Sequence, residues 1–140
     1  MRSVDLRLRG AAEAELVDDE AGMIQRAVRP VLVAGSGVYY SFGERSLAAF
    51  VVQQQMPTVI PIWDRGSILE PIEPFMGVVG AATGGPRLLH DADLIILAGS
   101  IFDYRVGQLL PPVVSNSMLS AFIVLSLSVS TTPFVAVTDC

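Results

Sequence analysis

Between Pro30 and Ser41 the chain runs from Val31-Leu32-Val33-Ala34 straight into Gly35-Ser36-Gly37. The first four residues carry no charge and read as a short buried strand. The two glycines open a turn, since glycine takes positive φ freely and lets another backbone or a ligand come close. Ser41 to Val52 follows with helical spacing. A buried strand, a glycine turn and a helix form the opening unit of an open α/β sheet. In such sheets ligands collect at the carboxyl ends of the strands. The pattern recurs at Leu94-Ile95-Ile96-Leu97-Ala98, an uninterrupted apolar run between Asp93 and Gly99, as expected of a strand buried on both faces. The expected class is α/β: an open, mostly parallel sheet with helices on both faces, a Rossmann-like three-layer domain.

The remaining segments fill in around these two runs. A first helix is expected over Glu13 to Val28, with Leu16, Ile24, Ala27 and Val28 on one side and Met23 at its edge. A start at Asp18 as N-cap is an equal alternative, and Pro30 ends the helix because it lacks an amide proton. Ser41-Phe42-Gly43-Glu44 fits a capping box, with Leu47, Phe50 and Val51 as the buried stripe behind it. Thr58 to Ile62 reads as a second strand whose paired part Pro61 keeps short or near an edge. Ile68 to Met76 contains Pro71 and Pro74 and reads as an irregular excursion over the sheet edge. Gly77-Val78-Val79-Gly80 returns to the core, and Ala81 to His90 holds a short helix with Leu88 and Leu89 buried.

From Val106 onward Asp139 is the only charge. Residues 118–137 approach the roughly 20 apolar residues of a membrane span, but serine, threonine and Pro133 interrupt them. Ile123 to Ser130 fits a strand better, with Phe134 to Val137 as another. The expected division is 1–19 as linker or edge segment, 20–110 as the α/β domain and 111–140 as an apolar tail, either further strands or an end with little defined structure.

Composition narrows the functional classes. The 140 residues suit one domain. Only 16% are charged, against about 25% in a typical soluble domain, which implies that much of the surface faces other protein. The net charge is -5, and all nine basic residues are scattered arginines. No basic stripe exists for nucleic acid. Cys140 is the only cysteine, so no internal disulfide forms and no cysteine-rich metal site exists. Met1 to Gly10 lacks the apolar core of a signal peptide. A reducing, cytoplasmic setting is expected, with a membrane location disfavoured.

Three clusters are candidate contacts. The amides of Gly35 and Gly37 suit a phosphate at the start of the next helix. The dinucleotide fingerprint is incomplete, because Tyr40 stands at the third glycine. Gly77 and Gly80 leave room for a long cofactor across the sheet top, or are turns in a crowded crossover. Gly99, Asp103 and Arg105 follow the strongest strand: Asp103 suits a ribose or holds Arg105, and Arg105 suits a phosphate or pairs with Asp103. His90 is the only histidine and has no metal-ligating cluster around it. Ser36 and Ser41 lack a histidine at a suggestive place, which disfavours a hydrolase triad. Trp63 and Asp64 close the second strand, the tryptophan reading as packing or interface.

Taken in order, several blocks resemble the central domain of thiamine-diphosphate-dependent enzymes of the acetolactate synthase-like group. The blocks are Arg29 to Val38, Pro57-Thr58-Val59, Gly66, Gly77 to Gly80, Asp91 to Gly99 and Asp103 to Gly107. The resemblance spans Glu20 to Gly107 and implies an α/β middle domain without catalytic residues, which in some members holds FAD or an adenine nucleotide such as ADP. It implies thiamine diphosphate and Mg²⁺ on neighbouring domains, and partners that are such domains or further copies of the chain. The family's activating glutamate would lie before Met1, and its Gly-Asp-Gly…Asn diphosphate motif is absent, so a truncated domain without catalysis of its own is expected. Glu73 stands where the family often has histidine, and the tail departs from the family's fourth-strand pattern. A small nucleotide-dependent oxidoreductase and a structural docking subunit are the competing readings.

Overall fold

The computed structural model describes residues 14–64, 66–80, 88–101, 103–109, 113, 122–123 and 137–138. Helix α1 covers Ala14–Arg26, followed by strand β1 at Pro30–Ala34. A short helix α2 at Gly37–Tyr40 precedes α3 at Glu44–Gln54, and β2 follows at Thr58–Pro61. The edge strand β3 is Phe75–Val79, α4 is Leu88–Asp91 and β4 is Leu94–Ala98. A 3₁₀ turn at Tyr104–Leu109 comes next. Two-residue strands β5 (Phe122–Ile123) and β6 (Val137–Thr138) pair antiparallel.

The four main strands form one parallel sheet in the order β3-β2-β1-β4. β1 and β4 pair over their whole length, from Pro30 opposite Leu94 to Ala34 opposite Ala98. Side chains on a strand alternate between faces, and here both faces are apolar. Leu32, Ala34, Ile60, Leu94 and Ile96 belong to one core cluster; Val31, Val33, Val59, Ile95 and Leu97 belong to the other. That is why these strands read as continuous apolar runs rather than alternating ones.

Handedness decides what covers each face. Right-handed crossovers from β1 to β2 and from β2 to β3 run in one direction and deposit their connections on one face. There α3 packs with Leu47 and Val51, and the proline-broken segment after β2 contributes Ile68 and Ile72 in place of a helix, with Phe75 of β3 beside them. The step from β3 to β4 reverses direction past β2 and β1. It places Leu88 and Leu89 of α4 on the opposite face, with Val106 and Leu109 beside them. The expected Rossmann-like arrangement with helices on both faces is what the chain adopts.

Several local expectations are corrected. Val28 is 79% exposed because α1 ends at Arg26, two residues before the expected stop; Met23, Ile24 and Ala27 do pack on the core. The helix begins at Ala14, so Asp18 is interior rather than a cap. The capping box does not form. The turn α2 intervenes, Ser41 donates its hydroxyl back to the Val38 carbonyl at 3.0 Å, and Gly43 caps α3 without a side-chain bond. β2 is short and ends at Pro61, as expected, but it lies inside the sheet rather than at its edge. The segment expected only to return to the core is itself the edge strand β3, with a register shift opposite Thr58 and Val59. Of the segment 1–19 expected as linker or edge, residues 14–19 belong to α1 and the rest lie outside the described residues, as do Gly84-Gly85-Pro86, most of the tail and the side chain of Leu16. Among the described residues no helix is long and apolar enough to cross a membrane.

The chain entering β1 is fixed by one carboxylate. Asp93 accepts the amides of Val28 at 2.7 Å and Arg29 at 2.9 Å, while Arg29 Nε donates to the Asp91 carbonyl at 2.6 Å. The two amide bonds and nearby Arg29 hold the Asp93 carboxyl below its ordinary range, against the opposing effect of desolvation. This joins the end of α1 to the start of β4 and sets the register of the central strand pair.

Glu20 is the opposite case. It sits in the apolar stripe of α1, is 1% exposed, and has no hydrogen-bond partner for either carboxylate oxygen. Desolvation, with Asp19 adding repulsion, pushes its pKa from 4.5 to about 7. The folded chain therefore holds this proton more tightly than the unfolded chain. Stability is unaffected below pH 4.5, falls as pH rises toward 7, and stays low above it. The loss is on the order of 2–3 kcal/mol. Glu20→Gln is expected to remove most of this slope, measured by urea denaturation at several pH values between 4.5 and 8.

Candidate functional site

The strand order reverses between β1 and β4, and their carboxyl ends define the crevice where open α/β sheets place ligands. Here the two loops meet backbone to backbone. The amide of Gly35 donates to the Ala98 carbonyl at 2.8 Å, and that of Gly37 to the Gly99 carbonyl at 2.9 Å. The Val38 amide donates to the Gly35 carbonyl at 3.1 Å. A Cβ on Gly35 would lie 2.3 Å from Ser100 Cα, and one on Gly37 would lie 2.6 Å from the Gly99 carbonyl oxygen. Gly99 itself has φ +58°, and a Cβ there would meet the Val38 nitrogen at 2.5 Å. The glycines let β1 and β4 continue in contact beyond their last paired residues. Their amides, expected to face a phosphate, donate to protein carbonyls.

Charged side chains from two further segments converge on the same end of the sheet. Arg105 donates through Nε to both oxygens of Asp103, at 3.0 and 2.9 Å, and Asp103 also accepts the Arg105 amide at 2.9 Å. The Nη1 of Arg105 reaches Oδ1 of Asp64, just beyond β2. That Asp64 oxygen accepts the hydroxyl of Ser36 from the β1 loop at 3.3 Å. Ser67 donates to the Gly35 carbonyl and ties the segment after β2 to the same loop. The Arg105 hydrogen bond holds Asp103 below the ordinary carboxylate range, and Asp103 with Asp64 raises Arg105 further. Asp64 is nearly buried, with 4% of its side chain exposed; Arg105 is 13% and Asp103 27% exposed.

The sequence candidates divide accordingly. Gly35, Gly37, Gly99, Asp103 and Arg105 meet at the β1–β4 crevice. Gly80 stands beside it, since a Cβ there would meet Ile62 at 2.6 Å and the Arg105 carbonyl oxygen at 3.6 Å. Gly77, at φ +118°, has open space where a Cβ would go and lies in the edge strand β3. Asp64 and Ser36 are the members of the network that sequence reasoning did not select as contacts. The signal was present at Trp63-Asp64, an acid at a strand's carboxyl end, but nothing in the sequence paired it with an arginine 41 positions away. Ser100 adds a second feature: its hydroxyl oxygen is buried and has no hydrogen-bond partner. Tyr40, Phe42, Trp63, Ile101 and Tyr104 are all more than 60% exposed around these loops. His90 pairs with neighbouring Asp91 at 2.9 Å at the end of α4. Among the described residues no group of three or more His, Cys, Asp or Glu residues could hold a metal ion.

Residues 17–124 match the family described as thiamine pyrophosphate enzyme, central domain. The chain belongs to this family. It is 32% identical over 101 residues to human 2-hydroxyacyl-CoA lyase 1, covering 72% of this chain and 17% of that protein. It is 27% identical over 93 residues to a probable acetolactate synthase of Mycobacterium bovis, covering 66% of this chain and 16% of the relative. The chain thus spans about a sixth of the curated relatives it matches. Among solved structures it resembles a putative thiamin diphosphate-dependent enzyme from Mycobacterium smegmatis, with TM-score 0.67 and 22% identity over 87% of this chain and 24% of that one. It also resembles the thiamine diphosphate-dependent 4-hydroxybenzoylformate decarboxylase of Rhodococcus jostii RHA1, with TM-score 0.68 and 18% identity over the same shares. Those two likenesses carry the fold.

The contacts make the glycines unequal. Gly35→Ala drives a methyl into backbone and is expected to cost about 3 kcal/mol or more, or to prevent folding. Gly77→Ala meets nothing and bears only its positive φ, an expected cost of about 1–2 kcal/mol. Chemical denaturation of the two variants side by side checks the ranking.

Proposed function

We propose that this chain is the central, non-catalytic domain of a thiamine-diphosphate-dependent enzyme of the acetolactate synthase-like kind, acting on a 2-oxo acid. In this reading it serves as scaffold, and its β1–β4 crevice takes FAD or an adenine nucleotide such as ADP. The observation that carries the nucleotide part is the buried, unpartnered Ser100 hydroxyl beside the Asp64–Arg105–Asp103 network at the strand-order reversal. Gly35, Gly37, Gly80 and Gly99 are the places of close backbone approach, Asp103 and Arg105 the polar edge, and Gly77 the outer limit of the surface.

The described residues do not fit Mg²⁺ or the diphosphate of the thiamine cofactor. Those groups belong, in this reading, to other domains of the enzyme, and no chemical step is assigned to this chain. The exposed rings of Tyr40, Phe42, Trp63 and Tyr104 support a role against partners, either such domains or further copies of the chain. The same rings favour a second reading, a structural subunit that docks on catalytic partners without binding a nucleotide.

Isothermal titration of the chain with FAD, ADP and NAD⁺ separates the readings. Saturable binding of FAD or ADP is expected, weakened about tenfold or more by Asp103→Ala. A folded chain that binds none of the three leaves the docking subunit, and NAD⁺ binding alone overturns both in favour of an oxidoreductase.

A further inference from the structure

We propose that Asp64 is a positioning residue that, together with Asp103, offsets the charge of Arg105, so that the crevice recognises the nucleoside part of its ligand and gains little from phosphate. The inference rests on the nucleotide reading above and assigns a specificity to that site. One guanidinium faces two carboxylates: Nε is shared between the oxygens of Asp103, and Nη1 is taken by Asp64. The formal charge of the group is negative. The same Asp64 oxygen also accepts the Ser36 hydroxyl at 3.3 Å, which adds a second tether to the β1 loop.

The usual second source of phosphate binding is also committed. The amides of Gly35, Gly37 and Val38 donate to carbonyls of Ala98, Gly99 and Gly35. Anion binding in such folds depends on amides that point outward without a protein partner. Among the described residues, what remains at the crevice is neutral. The Ser100 hydroxyl has both a donor and an acceptor to satisfy, and the ring of Tyr104 is 65% exposed in the segment carrying Asp103 and Arg105. A hydroxyl and an aromatic face suit a ribose or base edge and a planar base. A phosphate would have to compete with two carboxylates for Arg105.

The test compares ADP with adenosine on the full chain and on Asp64→Asn. The unaltered chain is expected to bind adenosine within about threefold of ADP. Asp64→Asn keeps an acceptor oxygen but removes a negative charge from beside the guanidinium, so the affinity ratio is expected to shift about tenfold toward ADP. A role for Asp64 in folding alone would weaken both ligands together and leave the ratio unchanged. ADP binding to the unaltered chain is also expected to change little between about 20 and 200 mM salt, a readout that needs no variant. An unaltered chain preferring ADP by tenfold, a steep salt dependence, or a ratio unmoved in Asp64→Asn overturns this inference and leaves the nucleotide reading standing. Failure of both ligands to bind overturns both.

Discussion

The domain depends on a contact between two stretches of bare backbone. At the carboxyl ends of β1 and β4 there is no room for a side chain between Gly35-Ser36-Gly37 and Gly99-Ser100. The amide bonds from Gly35 and Gly37 extend the β1–β4 pairing past the strands' last residues. Those strands bring Leu32, Ala34, Leu94 and Ile96 into one core and Val31, Val33, Ile95 and Leu97 into the other. A side chain wedged between the loops would disturb both faces at once, because the sheet is the wall the two cores share.

The crevice follows from the same arrangement. The chain reverses direction after β3, and right-handed crossovers then put α3 on one face and α4 on the other. The loops of β1 and β4 lie side by side at the point of reversal. Asp64 from the end of β2 and the Asp103–Arg105 pair beyond β4 close over the same end of the sheet. Burying an arginine between two acids is costly unless its donors are satisfied, and here Nε and Nη1 both have partners. The two carboxylates leave little free positive charge among the described residues of the crevice.

Strands β1 and β4 were legible in the sequence because a strand apolar on both faces cannot be mistaken for an amphipathic one. The glycine turn was legible because its residues have few other uses. The edge strand β3 was missed: Pro71 and Pro74 announce irregular chain, and Gly77 weakens strand propensity, so only pairing with β2 identifies it. The capping box failed because the same four residues serve the end of α2 equally well, and Ser41 bonds backward rather than forward. The Asp103–Arg105 pair was visible as neighbours in sequence. Asp64 was not, since it joins them only through a fold that brings β2 and β4 to the same end. Glu20 follows two aspartates, and nothing in the sequence sets it apart from them, whereas α1 turns it inward without a partner.

The central claim, that the glycine contact ties the sheet together, predicts how single amides behave. Native-state hydrogen exchange resolved by NMR reads this directly. The amides of Gly35 and Gly37 should exchange as slowly as those of Leu32 and Ile96 in the strand centres, opening only when the whole domain unfolds. If Gly37 exchanges through a local opening several kcal/mol cheaper than global unfolding, the loops separate independently of the sheet and the contact is not what holds it.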